Sequence, residues 1–109
     1  FPYTTLFRSI PASKDRLEPL AKELSERYGT KIIPLYCDVS NKEQVDALKV
    51  SLIKELGTVD MAHINAGVCL GGDDVDVPYE TWKKTIDIDL TGAYLTAQVS
   101  QQIMREHNQ

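Results

Sequence analysis

His63-Ile64-Asn65-Ala66-Gly67-Val68 is the stretch on which the fold turns. It follows a short apolar run, Thr58-Val59-Asp60-Met61-Ala62, and precedes a loop rich in glycine and aspartate, Gly71-Gly72-Asp73-Asp74. The pattern reads as the carboxyl end of a buried parallel strand opening into a crevice, the place where open α/β sheets bind ligands. Ala66 and Gly67 carry almost no side chain, so the backbone there can approach a flat ligand. Asn65 offers both donors and acceptors, and glycine permits unusual φ. A plain strand-to-loop turn uses the same residue types. The two readings separate only on what lies 27 residues before Asn65 and 24 after it.

Upstream, Ser13 to Tyr28 is helical in pattern, with Leu17, Leu20, Ala21, Leu24 and Tyr28 on one stripe. Pro19 predicts either a start near Glu18 or a bend, and Gly29 a stop. Lys31 to Cys37 is a short apolar run and reads as a strand, with Pro34 removing one ladder donor. Asp38-Val39-Ser40 turns into the next helix, where Ser40 and Glu43 fit a capping box. Val45, Leu48, Leu52, Ile53 and Leu56 mark its buried face. Val59 to Ile64 is predicted as the second strand, with His63 a strand residue whose partner lies in a neighbouring element.

Downstream, Pro78-Tyr79-Glu80 opens a last helix reaching roughly Glu106, on the order of 40 Å long. Its predicted stripe is Trp82, Ile86, Leu90, Ala93, Tyr94, Ala97, Gln101 and Met104. Gly92 interrupts it, which implies close packing of helix on backbone. Asp89 falls near the stripe, so its carboxylate must be paired, solvated or functional. Asp73, Asp74 and Asp76 suggest a metal loop only in composition, because the EF-hand spacing is absent; a solvated loop is expected. The order is thus helix, strand, helix, strand, helix, for which parallel strands with crossover helices are the default.

Composition narrows the classes. The 109 residues are enough for one small domain, and 42% hydrophobic with 26% charged is ordinary for a globular chain. A net charge of −4 provides no basic footprint for nucleic acid or an anionic membrane. No apolar run approaches the ~20 residues that span a bilayer. Cys37 and Cys69 form no spacing motif, and Cys37 reads as a buried free thiol. Residues 1–9 are short, aromatic and hydroxyl-rich and stay unassigned, a foreign or scar segment being one reading; both ends look cut.

Three motifs in order now carry a resemblance: Cys37-Asp38-Val39-Ser40, Asn65-Ala66-Gly67 with Val68, and Asp89-Leu90-Thr91-Gly92. The chain resembles the short-chain dehydrogenase/reductases, over roughly residues 14 to 109. The run Ile64 to Thr96 looks most like polyol and ketose reductases of mannitol or sorbose type, then 3-oxoacyl-carrier-protein reductases. The resemblance implies an α/β fold, a partial Rossmann-type doubly wound parallel sheet, over residues 10–109. It implies an internal fragment of an oxidoreductase moving hydride between NAD or NADP and a small alcohol or ketone. It also implies a cytoplasmic protein forming homo-oligomers through the long helix. Asp38 corresponds to the acid that accepts from the adenine amino group, and Val39 to its neighbour against the ring. Asn65, Ala66 and Gly67 correspond to the strand end against the adenosine ribose.

Asp89 takes the place of the helix asparagine that kinks the long helix and holds a proton-relay water. An ionised carboxylate can accept from that water but cannot donate. His63 and Ile64 also depart from the family pattern. The glycine-rich phosphate turn is expected upstream of this chain, and the catalytic serine and Tyr-x-x-x-Lys pair downstream, so the chain itself is expected to be inactive. In the family's strand order, 3-2-1-4-5-6-7, the two predicted strands are not neighbours. Cooperative folding alone is therefore not expected, unless residues 3 to 8 supply a substitute strand. A non-catalytic binding or dimerisation module using the long helix is the alternative function. A flavodoxin-like response module fits less well, since only Asp38 matches its clustered acids.

Overall fold

The computed structural model describes residues 3–6, 14–71 and 75–107. Its elements are β1 (Tyr3–Leu6), α1 (Lys14–Tyr28), β2 (Lys31–Pro34), α2 (Lys42–Leu56), α3 (Tyr79–Ile86), a π-helical segment (Asp87–Thr91) and α4 (Gly92–His107). β1 and β2 pair in parallel, Tyr3 opposite Lys31 through Leu6 opposite Pro34. The substitute strand is thus the observed case, and α1 is the crossover between two parallel neighbours. The α/β, partial Rossmann-type class stands, with its strands distributed differently from the expected order.

Helix α1 is continuous from Lys14 to Tyr28, with Pro19 inside it. It ends at Gly29, whose φ of 64° is left-handed and whose N–H donates to the Ser25 carbonyl at 2.9 Å. Leu17 and Ala21 are buried, whereas Leu20 and Tyr28 of the predicted stripe are exposed. Strand β2 stops at Pro34 rather than reaching Cys37. Proline has no N–H to continue a ladder.

The cap of α2 is corrected by one residue. Asn41, not Ser40, is the N-cap; its Oδ1 accepts from the Gln44 N–H at 3.1 Å. Ser40 is engaged elsewhere, donating from Oγ to Asp38 Oδ1 at 2.7 Å. Val45, Leu48 and Leu52 are buried, and Ile53 and Leu56 are half-buried against the same core, as the periodicity predicts.

Val59–Ile64 is not a strand; residues 58–70 have neither helical nor strand structure. A strand is defined by a ladder partner, and among the described residues the only sheet is the β1–β2 pair. Met61, His63 and Ile64 are therefore exposed, so His63 is no buried imidazole. Val59, Ala66 and Val68 still pack against the core.

The last helix is split, and its buried face is not the predicted one. Trp82, Leu90 and Tyr94 are exposed, while Ile88, Leu95, Val99 and Ile103 are buried. Two causes combine. The π turn adds a residue to the helical count and rotates α4 relative to α3. The buried stripe also contains Thr96 and Ser100, whose hydroxyls are satisfied within the helix by the carbonyls of Gly92 and Thr96 at 2.7 and 2.8 Å. The core therefore lies between α2, α4 and the Cys37–Val39 turn. Lys49 Nζ clasps α2 to α4, donating to Gln102 Oε1 at 3.2 Å and pairing with Glu106 at 3.4 Å.

Candidate functional site

The site begins where β2 has ended and the chain turns into α2. The Asp38 N–H donates to Gln44 Oε1 at 2.9 Å, and Asp38 Oδ1 accepts from both Ser40 N–H and Ser40 Oγ. The carboxylate is thus held in one rotamer by its own turn. Val39 points inward at 1% exposure. A Cβ added at Gly92 would stand 2.6 Å from Val39 Cγ2 and 3.2 Å from the Val39 carbonyl oxygen. Only glycine lets the start of α4 approach this turn, which is the close approach that Gly92 implied.

Cys37, immediately before, is buried and free. Burial, and secondarily the Asp38 charge, push its thiol up to about 11. It is inert at neutral pH, since the thiolate is the reactive form.

The second loop meets the same helix start. Ile64, Asn65 and Ala66 line a shallow hollow with Gly92, Ala93 and Thr96, with room for about one water. Asn65 and Gly67 are exposed and Ala66 is half-buried. Val39 lies buried under Gly92, and neither Asp38 nor Val39 lines the hollow.

Asp89 stands behind that loop, in the π segment. Its Oδ1 accepts from the Val68 N–H at 2.7 Å. It is exposed and does not line the hollow. The π segment falls where the resemblance implies a kink; single π turns inside helices recur at functional sites. Sequence reasoning missed both the π geometry and the Val68 contact, which no local pattern announces.

Tyr79 and Lys83 do stand four residues apart, so the Tyr-x-x-x-Lys spacing occurs once. Their setting is a surface one. Tyr79 stacks on Trp82 with ring centroids 6.1 Å apart, and both rings are exposed. The Lys83 ammonium pairs with Asp87 at 2.8 Å, and that hydrogen bond and charge raise its pKa. Neither residue lines the hollow.

Among the described residues no group of three His, Cys, Asp or Glu could hold a metal. Asp73 and Asp74 lie outside them. No described helix is long and apolar enough to cross a membrane.

The Asp38–Val39 turn and the small-residue Asn65–Ala66 loop both lie against the start of α4, just after the π segment. Residues 9–109 match the family model described as enoyl-(acyl carrier protein) reductase. The chain belongs to the short-chain dehydrogenase/reductase family. It is 36% identical over 89 residues to a sorbose reductase of Candida albicans, covering 80% of this chain and 32% of that protein. It is 38% identical over 77 residues to an NADP-dependent mannitol dehydrogenase of Alternaria alternata, covering 71% and 29%. Among solved structures, an alcohol dehydrogenase of Thermococcus sibiricus complexed with 5-hydroxy-NADP superposes with TM-score 0.85 at 25% identity, over 97% of this chain and 44% of that one. An L-sorbose reductase of Gluconobacter frateurii, complexed with NADPH and L-sorbose, gives 0.82 at 25%, over 94% and 38%. The chain thus spans about a third of the length of these curated relatives.

Proposed function

We propose that this chain forms the adenosine side of a cofactor site in an NAD(P)-dependent oxidoreductase. The whole enzyme would move hydride between the nicotinamide and a small alcohol or ketone of polyol, ketose or 3-oxoacyl type. The observation that carries this is that Val39, next to Asp38, lies under Gly92 while Asn65 and Ala66 line a hollow beside the same glycine. The residues present suit the group. Asp38 accepts from the adenine amino group, Val39 supplies backbone beside the ring, and Asn65, Ala66 and Gly67 leave room for the ribose. Asp89 takes the place of the relay asparagine. When bound, NAD or NADP supplies the hydride acceptor or donor; the chain's own residues bind and orient the adenosine end. With no glycine-rich phosphate turn in the sequence, the chain is inactive by itself in this reading, and its location is cytoplasmic.

Titrating NADP+ and NAD+ into the isotope-labelled chain tests it. Amide shifts at residues 38–40 and 65–68 are expected, and Asp38→Ala should weaken binding by about three- to tenfold, the worth of one hydrogen bond. Shifts scattered elsewhere, or none at millimolar cofactor, would overturn the proposal.

The exposed stripe Trp82, Leu90 and Tyr94 favours a second role for the same helix, as a homo-oligomer surface. A non-catalytic dimerisation module is the reading left if cofactor binding fails while the chain self-associates through this stripe.

A further inference from the structure

We infer that Gln44 is a positioning residue: its side-chain amide fixes the peptide plane ahead of Asp38 and so sets the direction in which the Asp38 carboxylate meets a nucleotide. The link to a nucleotide rests on the adenosine-site reading above; Gln44 itself belongs to none of the three motifs. Cys37 and Val39 are both buried, each 1% exposed, and Asp38 between them is half-buried. Packing of its two neighbours fixes where Asp38 stands. It does not fix the tilt of the peptide plane that joins Cys37 to Asp38, and strand β2, which could have fixed it through a ladder, stops at Pro34. A backbone N–H placed there needs another acceptor. It finds Gln44 Oε1 at 2.9 Å, six residues further on.

The first turn of α2 supplies both halves of the hold. The Asn41 N–H donates to the Asp38 carbonyl at 3.0 Å. The Gln44 N–H in turn donates to Asn41 Oδ1 at 3.1 Å. Gln44 thus secures the helix cap through its backbone and Asp38 through its side chain. Asp38 is tied at its N–H and at its carbonyl, and its Oδ1 accepts from the Ser40 N–H and Oγ. The carboxylate therefore takes its direction from a backbone held on both sides. A neutral amide oxygen suits the task, because it accepts from the N–H without placing a second carboxylate beside Asp38.

Amide exchange in the isotope-labelled chain tests the hold without any cofactor. Gln44→Ala keeps a good helix former in α2 and removes the acceptor. Exchange at Asp38 should then quicken about three- to tenfold, the worth of one neutral hydrogen bond, with Leu48 and Val99 unchanged. Gln44→Glu should restore the protection while moving the Asp38 amide proton downfield, since a charged oxygen replaces a neutral one. Asp38 exchange unaltered in Gln44→Ala would overturn the inference, as would a Gln44→Glu chain whose Asp38 proton does not move; the second measurement decides if the alanine variant fails to fold. NADP+ titration separates the two proposals. Affinity should fall about three- to tenfold in Gln44→Ala, and a wild-type response that survives there undiminished sinks the positioning role alone. No amide response to NADP+ in the wild type sinks the adenosine site, while the exchange data still decide whether Gln44 holds Asp38.

Discussion

Two thiols of identical chemistry differ only in what surrounds them. Cys37 is 1% exposed and Cys69 is exposed. An alkylating reagent at neutral pH should therefore add one adduct, on Cys69, to the folded chain and two in denaturant, as mass spectrometry would read. The Cys37 pKa rises from the ordinary 9.0 to about 11, so the folded chain holds that proton more tightly than the unfolded one. The stabilisation is fully present below pH 9 and is lost as pH climbs through 11, on the order of 2–3 kcal/mol for a shift of this size. Cys37→Ala should flatten this alkaline limb of a urea-stability profile between pH 8 and 11; an unchanged limb would refute the assignment. The burial of Cys37 was legible because the residue sits in an apolar run. The Asn41 cap was not, because Ser40, Asn41 and Asp38 all suit a cap and only the fold decides which side chain is already committed.

Among elements, the junction of the π segment and α4 carries most of the packing that positions the site. Gly92→Ala sets two effects in opposition. Replacing glycine within a helix gains about 1 kcal/mol in propensity, but the new Cβ would stand 2.6 Å from Val39 Cγ2 and 3.2 Å from the Val39 carbonyl oxygen. Overpacking costs about 1–3 kcal/mol, and the carbonyl cannot move without shifting the Asp38 turn. The overpacking outweighs the gain: the urea midpoint should fall, and a midpoint raised by the substitution would show that the helix start stands off Val39. The close approach at Gly92 was readable from one glycine in a long apolar pattern. The buried face was not, because the helix offers two candidate stripes. The bulkier one, Trp82, Leu90 and Tyr94, faces solvent. The one with Thr96 and Ser100 is buried, since hydroxyls bonded to the preceding turn carry no penalty there.

For the whole molecule, the radius of gyration is 15.4 Å, against roughly 13 Å for a compact chain of this length. Met61, Ile64, Trp82, Leu90 and Tyr94 are large apolar side chains left exposed. β1 is the element on which the sheet depends, since β2 has no other strand partner among the described residues. Deleting residues 1–6 should abolish any cooperative thermal transition in circular dichroism, together with exchange protection at Ile32 and Ile33. A truncated chain that melts like the intact one would show that the β1–β2 pairing contributes nothing.

Helices α1 and α2, the stop of α1 at Gly29 and the three motifs at residues 37–40, 65–68 and 89–92 were legible in the sequence alone, because each rests on neighbours within a few residues. Tertiary structure alone decided that residues 58–70 form no strand, that Tyr3–Leu6 supplies the second strand, which stripe of α4 turns inward and that Asp89 reaches Val68. Strand pairing, helix phase after a π turn and a contact across 21 residues all depend on partners distant in the chain, and no local pattern encodes them.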